Sequence, residues 1–474
     1  MSSVSALNSL LASTSSSTTI NLSQILQAAT GASTPGIDVT AAVSAAVTAA
    51  QAPETAWENQ ETTLQNQTAA LNQLQTDTTN LDNDMQSLNN LTGPLSARTV
   101  SSSDSTLVTA SAASGSAVGN HTVVVGNLAA TASWSSSTVS SATTPLAAGS
   151  FTITDASGNP TIISTGTGSS TLSDVANTIN SDNLGVTANV ITDATGARLA
   201  IVSNTSGSAA NFSVTAGSGG LGFTRAVDGA NASVTVDGIT LSSASNTVTG
   251  ALPGVTLNLL NASPGTNVSL TIAPDTSQAS TAINQFVTDY NKAIGDVNTQ
   301  FTDTGSGEGV LADDSAVRSL QSTLQEALDY TYTPASGTTT VPTLTAMGIS
   351  LNSDGTLSVD SGALTSTLQN NFNDVQNFFQ GASLNGFANS VDQQLTSFIS
   401  PADGAFTVDL SSISTQISGL QTDVTNFQTN YIVPLQAQLQ SEYSQAEILL
   451  QQLPQEMQQI NTELGLNNNS SSGG

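Results

Sequence analysis

A Ser-His-Asp relay, a thiolate nucleophile or a zinc site would each require residues that this 474-residue chain almost lacks, since it holds one histidine and no cysteine. Any nucleophile and base would have to centre on His121. That residue runs in step with Val123 and Val125 on one face of a predicted strand, so an ordinary strand position is the better reading. Ligand clusters of the H-E-x-x-H or paired-cysteine kind cannot be written with this composition. Gly217, Gly219 and Gly222 do satisfy G-x-G-x-x-G after a plausible strand at residues 212–215. The following run through Phe223, Thr224, Arg225 and Ala226 to Asp228 and Gly229 leaves no helix whose amino end could hold a phosphate, and a loop is expected. Gly305, Gly307 and Gly309 read as a similar loop. Asp313 with Asp314, and Asp354 with Asp360 around Gly355, miss the ligand spacing of a calcium loop and are expected to cap helices and shape a tight turn. Triplets such as Asn231 to Ser233 match a glycosylation acceptor, but follow from the Ser and Thr content. Neither an enzyme activity nor a cofactor or metal is expected.

The charge balance points away from two classes of partner. Five Lys plus Arg stand against 34 Asp plus Glu, a net charge of -29. Lys292 is the sole lysine, and Arg98, Arg198, Arg225 and Arg318 are scattered, so no basic patch exists to hold a phosphate backbone. Repulsion disfavours an anionic membrane surface as well. Charged residues make up 8% of the chain, about a third of the usual share. Ser, Thr, Asn and Gln take their place, a surface that suits an exported protein. No run of 18 apolar residues occurs that could span a membrane. Residues 1–27 have neither a basic region nor a continuous apolar run, so export by a route without signal cleavage is expected.

The elements that would position any working surface fall into three kinds. Residues 1–36 are rich in Ser, Thr and Asn with one apolar stretch at 20–26, and a flexible tail is expected there. Pro53 marks a break, after which Trp57, Leu64, Leu71, Leu74, Leu81, Met85 and Leu88 recur at spacings of seven, or of three and four. That is the stripe of a long amphipathic helix with a coiled-coil seam, ending near Thr92, Gly93 and Pro94. From about Leu95 to Asp275 the period falls to two. Val234 and Val236, the turn Asp237-Gly238, then Ile239 and Leu241 read as a hairpin. Val255, Leu257 and Leu259, and Val268, Leu270 and Ile272, give two more half-buried strands. One helix interrupts them, with Leu172, Val175, Ala176 and Ile179 on one face and Ser170 or Thr171 at its start. Helices return after Asp275: Ile283, Phe286, Val287, Tyr290 and Ile294 make one stripe, and Val317, Leu320, Leu324 and Leu328 another. A last seam runs through Ile413, Ile417, Leu420, Val424 and Phe427, with Pro434 and Pro454 beyond it expected to kink or end the helix.

Two stripes at opposite ends of the chain are expected to pack on each other. The fold class is therefore α+β multidomain: a helical coiled-coil stalk built from both chain ends, with β-rich domains inserted between them. The expected divisions are the tail at 1–36, a helical segment at 37–96, a β-rich domain from 97–132 and 228–275, a second β-rich domain inserted in it at 133–227, a helical domain at 276–400, and a coiled-coil helix with a flexible tail at 401–474. Gln, Asn and Thr flank the seams where charges usually fix register, so pairing is expected to depend on assembly.

Short motifs along this layout resemble the flagellar hook-associated protein 2 family. Pro35, Gly36, Ile37, Asp38 and Val39, then Val43, Ala52 and Pro53, are similar to its signature before the first long helix. Arg98, Ser101 to Asp104, Gly119, Val123, Val125, Leu128 and Ala129 resemble the entry into its head, with His121 where the family often has Tyr. Residues 172–180, Gly185, Val186, Ala188, Arg198, Leu199 and Ser203 follow in order, then Asn246, Val248, Gly254, Asp275, Asn291, Leu311, Asp314, Arg318, Gly348, Ile349, Leu357 and the pair Phe378 and Phe379. The terminal helices depart from the family in being nearly uncharged.

The resemblance implies a filament cap at the distal tip of the bacterial flagellum. It implies unfolded export through the flagellar type III apparatus with an export chaperone, and a ring of about five subunits with heads as a plate and helical parts as legs. Its partners would be flagellin and the hook-filament junction proteins, and it would guide flagellin as it folds into the filament. A flagellin-like filament protein and a surface adhesin are the rival expectations.

Overall fold

The computed structural model describes residues 38–463 apart from 167–168, 304–308 and 336. The expected tail at 1–36, its 20–26 stretch, Pro35, Gly36, Ile37, Gly305, Gly307 and the end of the chain from 464 lie outside the described residues. Two compact units divide the rest. The first comprises residues 38–76, 296–319 and 397–463; the second comprises 77–295 and 320–396.

In the first unit, α1 (Val39–Ala50) opens on Asp38, whose carboxylate accepts from the Ala41 amide at 3.0 Å. The chain breaks at Gln51, and α2 (Ala52–Asn89) begins with Pro53 in its first turn, where a missing N–H leaves no intrahelical bond unmade. Pro53 thus starts a helix instead of interrupting one. The first half of α2 belongs to this unit, and the part from Asp77 onward to the second.

The β-rich part of the second unit contains two cores. Strands β1 (Arg98–Ser102), β2 (Val108–Ala112), β3 (Gly119–Asn127), β4 (Thr131–Ser136), β5 (Ser150–Thr154) and β6 (Pro160–Ser164) precede α3 (Leu172–Ser181). Then come β7 (Val186–Asp193), β8 (Gly196–Ser206), β9 (Ser213–Ala216), β10 (Phe223–Val227), β11 (Ala232–Val236), β12 (Ile239–Ser243), β13 (Thr247–Leu252), β14 (Val255–Leu259) and β15 (Val268–Pro274). A five-stranded sheet, β1-β15-β3-β11-β12, and a three-stranded sheet, β13-β14-β2, enclose one core that includes Val123, Val234, Leu257 and Leu270. A four-stranded sheet, β10-β4-β8-β7, a three-stranded sheet, β6-β5-β9, and α3 enclose the other, around Phe151, Ile179, Leu199 and Ile201. All these pairings are antiparallel, and strict alternation aims every second residue of β11 and β14 inward. The hairpin register pairs Val234 with Leu241 and Val236 with Ile239 across Asp237 and Gly238, whose φ of 50° and 83° are the left-handed values this turn demands. Thr171 caps α3 through a reciprocal box with Asp174.

Helices then resume with α4 (Thr276–Gln300) and α5 (Ser315–Ala327). The ribbon β16 (Ile349–Leu351) and β17 (Leu357–Val359) precedes α6 (Ser361–Asn370), α7 (Phe372–Gln380), α8 (Phe387–Ile399), α9 (Ala405–Phe427) and α10 (Val433–Glu463). Of the two prolines expected to kink or end the last helix, Pro434 sits at a helix boundary and Pro454 inside a continuing helix. α9 ends at Phe427, a π-turn covers Gln428–Ile432, and Pro434 lies in the first turn of α10, which runs on through Pro454 without ending there.

Candidate functional site

The stripe residues of α2 fall into two groups. Leu64, Leu71 and Leu74 are buried in the first unit, and Leu81, Met85 and Leu88 are buried in the second. Trp57, near the start of the helix, is half-buried. Of the seam positions on α9, Ile413 is buried, at 8% exposure, while Ile417, Leu420, Val424 and Phe427 are half-buried. The first unit holds both Leu74 and Leu420. Within it Trp57 meets Phe427 edge to face at 5.4 Å, and Phe427 stacks on Tyr431 at 5.1 Å. Gln421 donates to Glu61 at 2.7 Å, Gln428 donates to Glu54, and α1 packs against α10. Polar Gln and Glu thus line this helical pair where opposite charges would ordinarily sit.

Further along, apolar side chains lose their cover. Ile448, Leu449, Leu453, Met457 and Ile460 on α10 are each at least half exposed. Leu449, Leu453, Met457 and Ile460 recur at spacings of four and three, a single helical stripe without a partner among the described residues. A polar cleft in the same unit is lined by Gln67, Leu311, Asp313, Asp314, Asp409 and Gln416. Partial burial and then the Asp314 charge push the Asp409 carboxyl up.

The residues first weighed for chemistry take structural posts. His121 donates from Nδ1 to Asp237 at 2.7 Å, and the Thr122 amide donates to the same carboxylate, which holds Asp237 below the usual carboxylate range. That pairing was not legible in the sequence, because the two residues are brought together only when β11 pairs with β3. Gly217 to Gly222 connect β9 to the strand β10, and a Cβ on Gly220 would lie 2.6 Å from the Ser150 carbonyl oxygen. Asp314 caps α5 through the Ala316 amide at 2.8 Å, and Asp360 caps α6. Asp354 closes its turn by accepting from Thr356. Among the described residues no group of three His, Cys, Asp or Glu could hold a metal ion, and no helix is long and apolar enough to cross a membrane. Phe378 and Phe379 join Phe286, Tyr330 and Phe387 in an aromatic cluster with centroid separations from 5.2 to 6.5 Å.

Two family profiles match this chain, the flagellar hook-associated protein 2 C-terminus over residues 229–455 and its N-terminus over 35–132, together more than half of the sequence. The chain belongs to the flagellar hook-associated protein 2 family. A flagellin hook IN motif matches residues 150–205. The B-type flagellar hook-associated protein 2 of Pseudomonas aeruginosa is 29% identical over 318 residues, 60% of this chain and 66% of that protein, so the match spans just under two thirds of its length. The flagellar hook-associated protein 2 of Escherichia coli is 27% identical over 402 residues, 78% of this chain and 84% of its own. The crystal structure of the D1-D2-D3 domains of the flagellar cap protein FliD from Escherichia coli is similar with a TM-score of 0.57 at 27% identity, covering 72% of this chain and 99% of that one. The mixed helical and multi-sheet fold described above agrees with that structure.

Proposed function

We propose that this protein is an extracellular flagellar filament cap, acting mechanically and not as an enzyme. Family membership supports the role. The observation that carries it in this chain is the bare apolar stripe on α10, a helix face that another subunit can complete. In this reading the helices near both chain ends form a coiled-coil leg whose core is Trp57, Leu64, Leu71, Leu74, Leu81, Met85, Ile413, Ile417, Leu420, Val424 and Phe427, with Leu88 at the end of the seam. The β-rich cores form two head domains, one inserted in the other. Copies close into a ring, about five by the family's pattern, through head-to-tail contacts. The ring sits at the distal tip after export through the flagellar type III apparatus with a chaperone. There it receives flagellin and contacts the hook-filament junction proteins, and each incoming subunit is guided by differential binding among leg positions, with no covalent step.

A strain lacking the gene should shed unpolymerised flagellin and regain filaments when purified protein is added. Normal filaments in that strain, with avid binding of the purified protein to a glycan or host surface, would favour an adhesin instead. Electron micrographs of the purified protein should show rings; long fibres would mark a filament subunit. Asp at Leu71, Leu74, Leu81, Ile417 and Leu420 should abolish leg packing, and unchanged assembly and melting would count against the seam.

A further inference from the structure

The second half of α2 carries Asp77, Asp82 and Asp84 into helical packing within the second unit, where α4 presents Asp289 and α8 presents Asp392. A buried carboxylate normally takes a cation as partner. Asp77 follows that rule, bonded to Lys292 of α4. Asp82 and Asp84 instead each face another carboxyl. Asp82 is 5% exposed and lies within hydrogen-bonding reach of Asp392. The Gln86 amide donates to both, at 2.8 Å to Asp82 Oδ2 and 3.0 Å to Asp392 Oδ1, and so holds the two acids together. Asp84, half-buried, faces the half-buried Asp289, whose Oδ2 accepts from the Gln285 amide at 2.8 Å.

One oxygen of each α2 acid, Asp82 Oδ1 and Asp84 Oδ2, is shut off from solvent with no donor among the described residues. Leaving both as bare acceptors against a second carboxylate would combine desolvation with like-charge repulsion. A single proton held between the two carboxyls removes both penalties. Two residues apart on a helix, Asp82 and Asp84 point to different sides, so one pair ties α2 to α8 and the other ties α2 to α4.

We infer that each pair holds one shared proton and that the two pairs together form a proton-operated clasp on α2, closed while protonated and loosened when solvent removes the protons. The charged group against Asp82 is Asp392 and that against Asp84 is Asp289, and the Asp77 and Lys292 pair lies further along α2 and α4. Burial first, then the facing acid, push the Asp82 and Asp84 carboxyls up to about 7. Because the folded values lie above an unfolded value of about 4, the folded chain binds more protons between those limits. The clasp therefore contributes fully below about pH 4, weakens as pH rises, and is open above about pH 7.

Thermal unfolding of the full chain at pH 5 and pH 8, beside the variant Asp82→Asn/Asp84→Asn, tests this. Asparagine keeps the shape and supplies a permanent N–H to the facing carboxylate. At pH 8 the variant should melt at least about 3 °C above the parent, and at pH 5 the two should agree. The surface change Asp329→Asn, which removes one charge from an exposed site, should give no such pH-specific gain. Carboxyl-carbon NMR of the unaltered protein should find protonated aspartates persisting at pH 6. A variant that loses as much melting temperature between pH 5 and 8 as the parent would overturn the clasp. Should the variant not fold, an NMR titration with every aspartate ionised at pH 6 would overturn it equally.

Discussion

Phe151 and Leu449 are both large apolar residues, one with 0% and the other with 63% of its surface exposed. Phe151 points inward from β5, where β6 and β9 on either side and the ring of Phe223 at 4.6 Å cover it. Its core needs nothing from outside the chain. Leu449 lies on α10, a helix whose inner side packs on α1 while its stripe of Leu453, Met457 and Ile460 stays bare. The difference teaches that self-contained folding and unfinished packing are separated along this sequence. Sheets close by hydrogen bonding in pairs and complete their cores locally, whereas a long helix with weakly specified flanks can wait for a partner.

The contrast can be broken at several points. Phe151→Ala should show the largest effect, about 3–5 kcal/mol of lost stability in denaturant unfolding, because the cavity it leaves is walled by strands that cannot collapse. Leu71→Ala, fully buried in the first unit, should cost about 2–5 kcal/mol. An effect below ~1 kcal/mol would mean that the helical packing there is as open as on α10. Thr171→Ala removes the box that starts α3 and should cost about 1 kcal/mol, read in the same unfolding experiment. Leu453→Asp should leave the stability of the isolated chain within about 0.5 kcal/mol, since it replaces an exposed side chain, yet should abolish assembly in a sizing column.

The smallest change concerns pH. Asp237 is held low by the His121 and Thr122 bonds, so its contribution is present above about pH 4 and lost as pH falls through its lowered value. Asp237→Asn should thus lower the melting temperature slightly at pH 7 and not at pH 2.

Where local signals were strong, the sequence was readable. Alternating Val and Leu around Asp237 and Gly238 specify the hairpin because period two and a left-handed turn agree, and the spacing of Leu172, Val175, Ala176 and Ile179 specifies α3 with Thr171 at its start. The stripe of α2 was legible as a helix face, but not its division between two units, since one period serves whatever partner covers it. Pro434 marked a helix boundary, but the π-turn ahead of it has no sequence signature of its own. The facing pairs of Asp82 with Asp392 and Asp84 with Asp289 were invisible, being set by tertiary packing between residues hundreds of positions apart.

Filament recovery by added protein tests the central claim most directly. Unaltered protein, added to a strain lacking the gene, should form closed rings in electron micrographs and restore filaments. The variant Leu449→Asp/Leu453→Asp/Met457→Asp should melt like the parent yet form no rings and restore none. A variant that rebuilds filaments as well as the parent would contradict the account, because the bare face of α10 would then have no part in assembly.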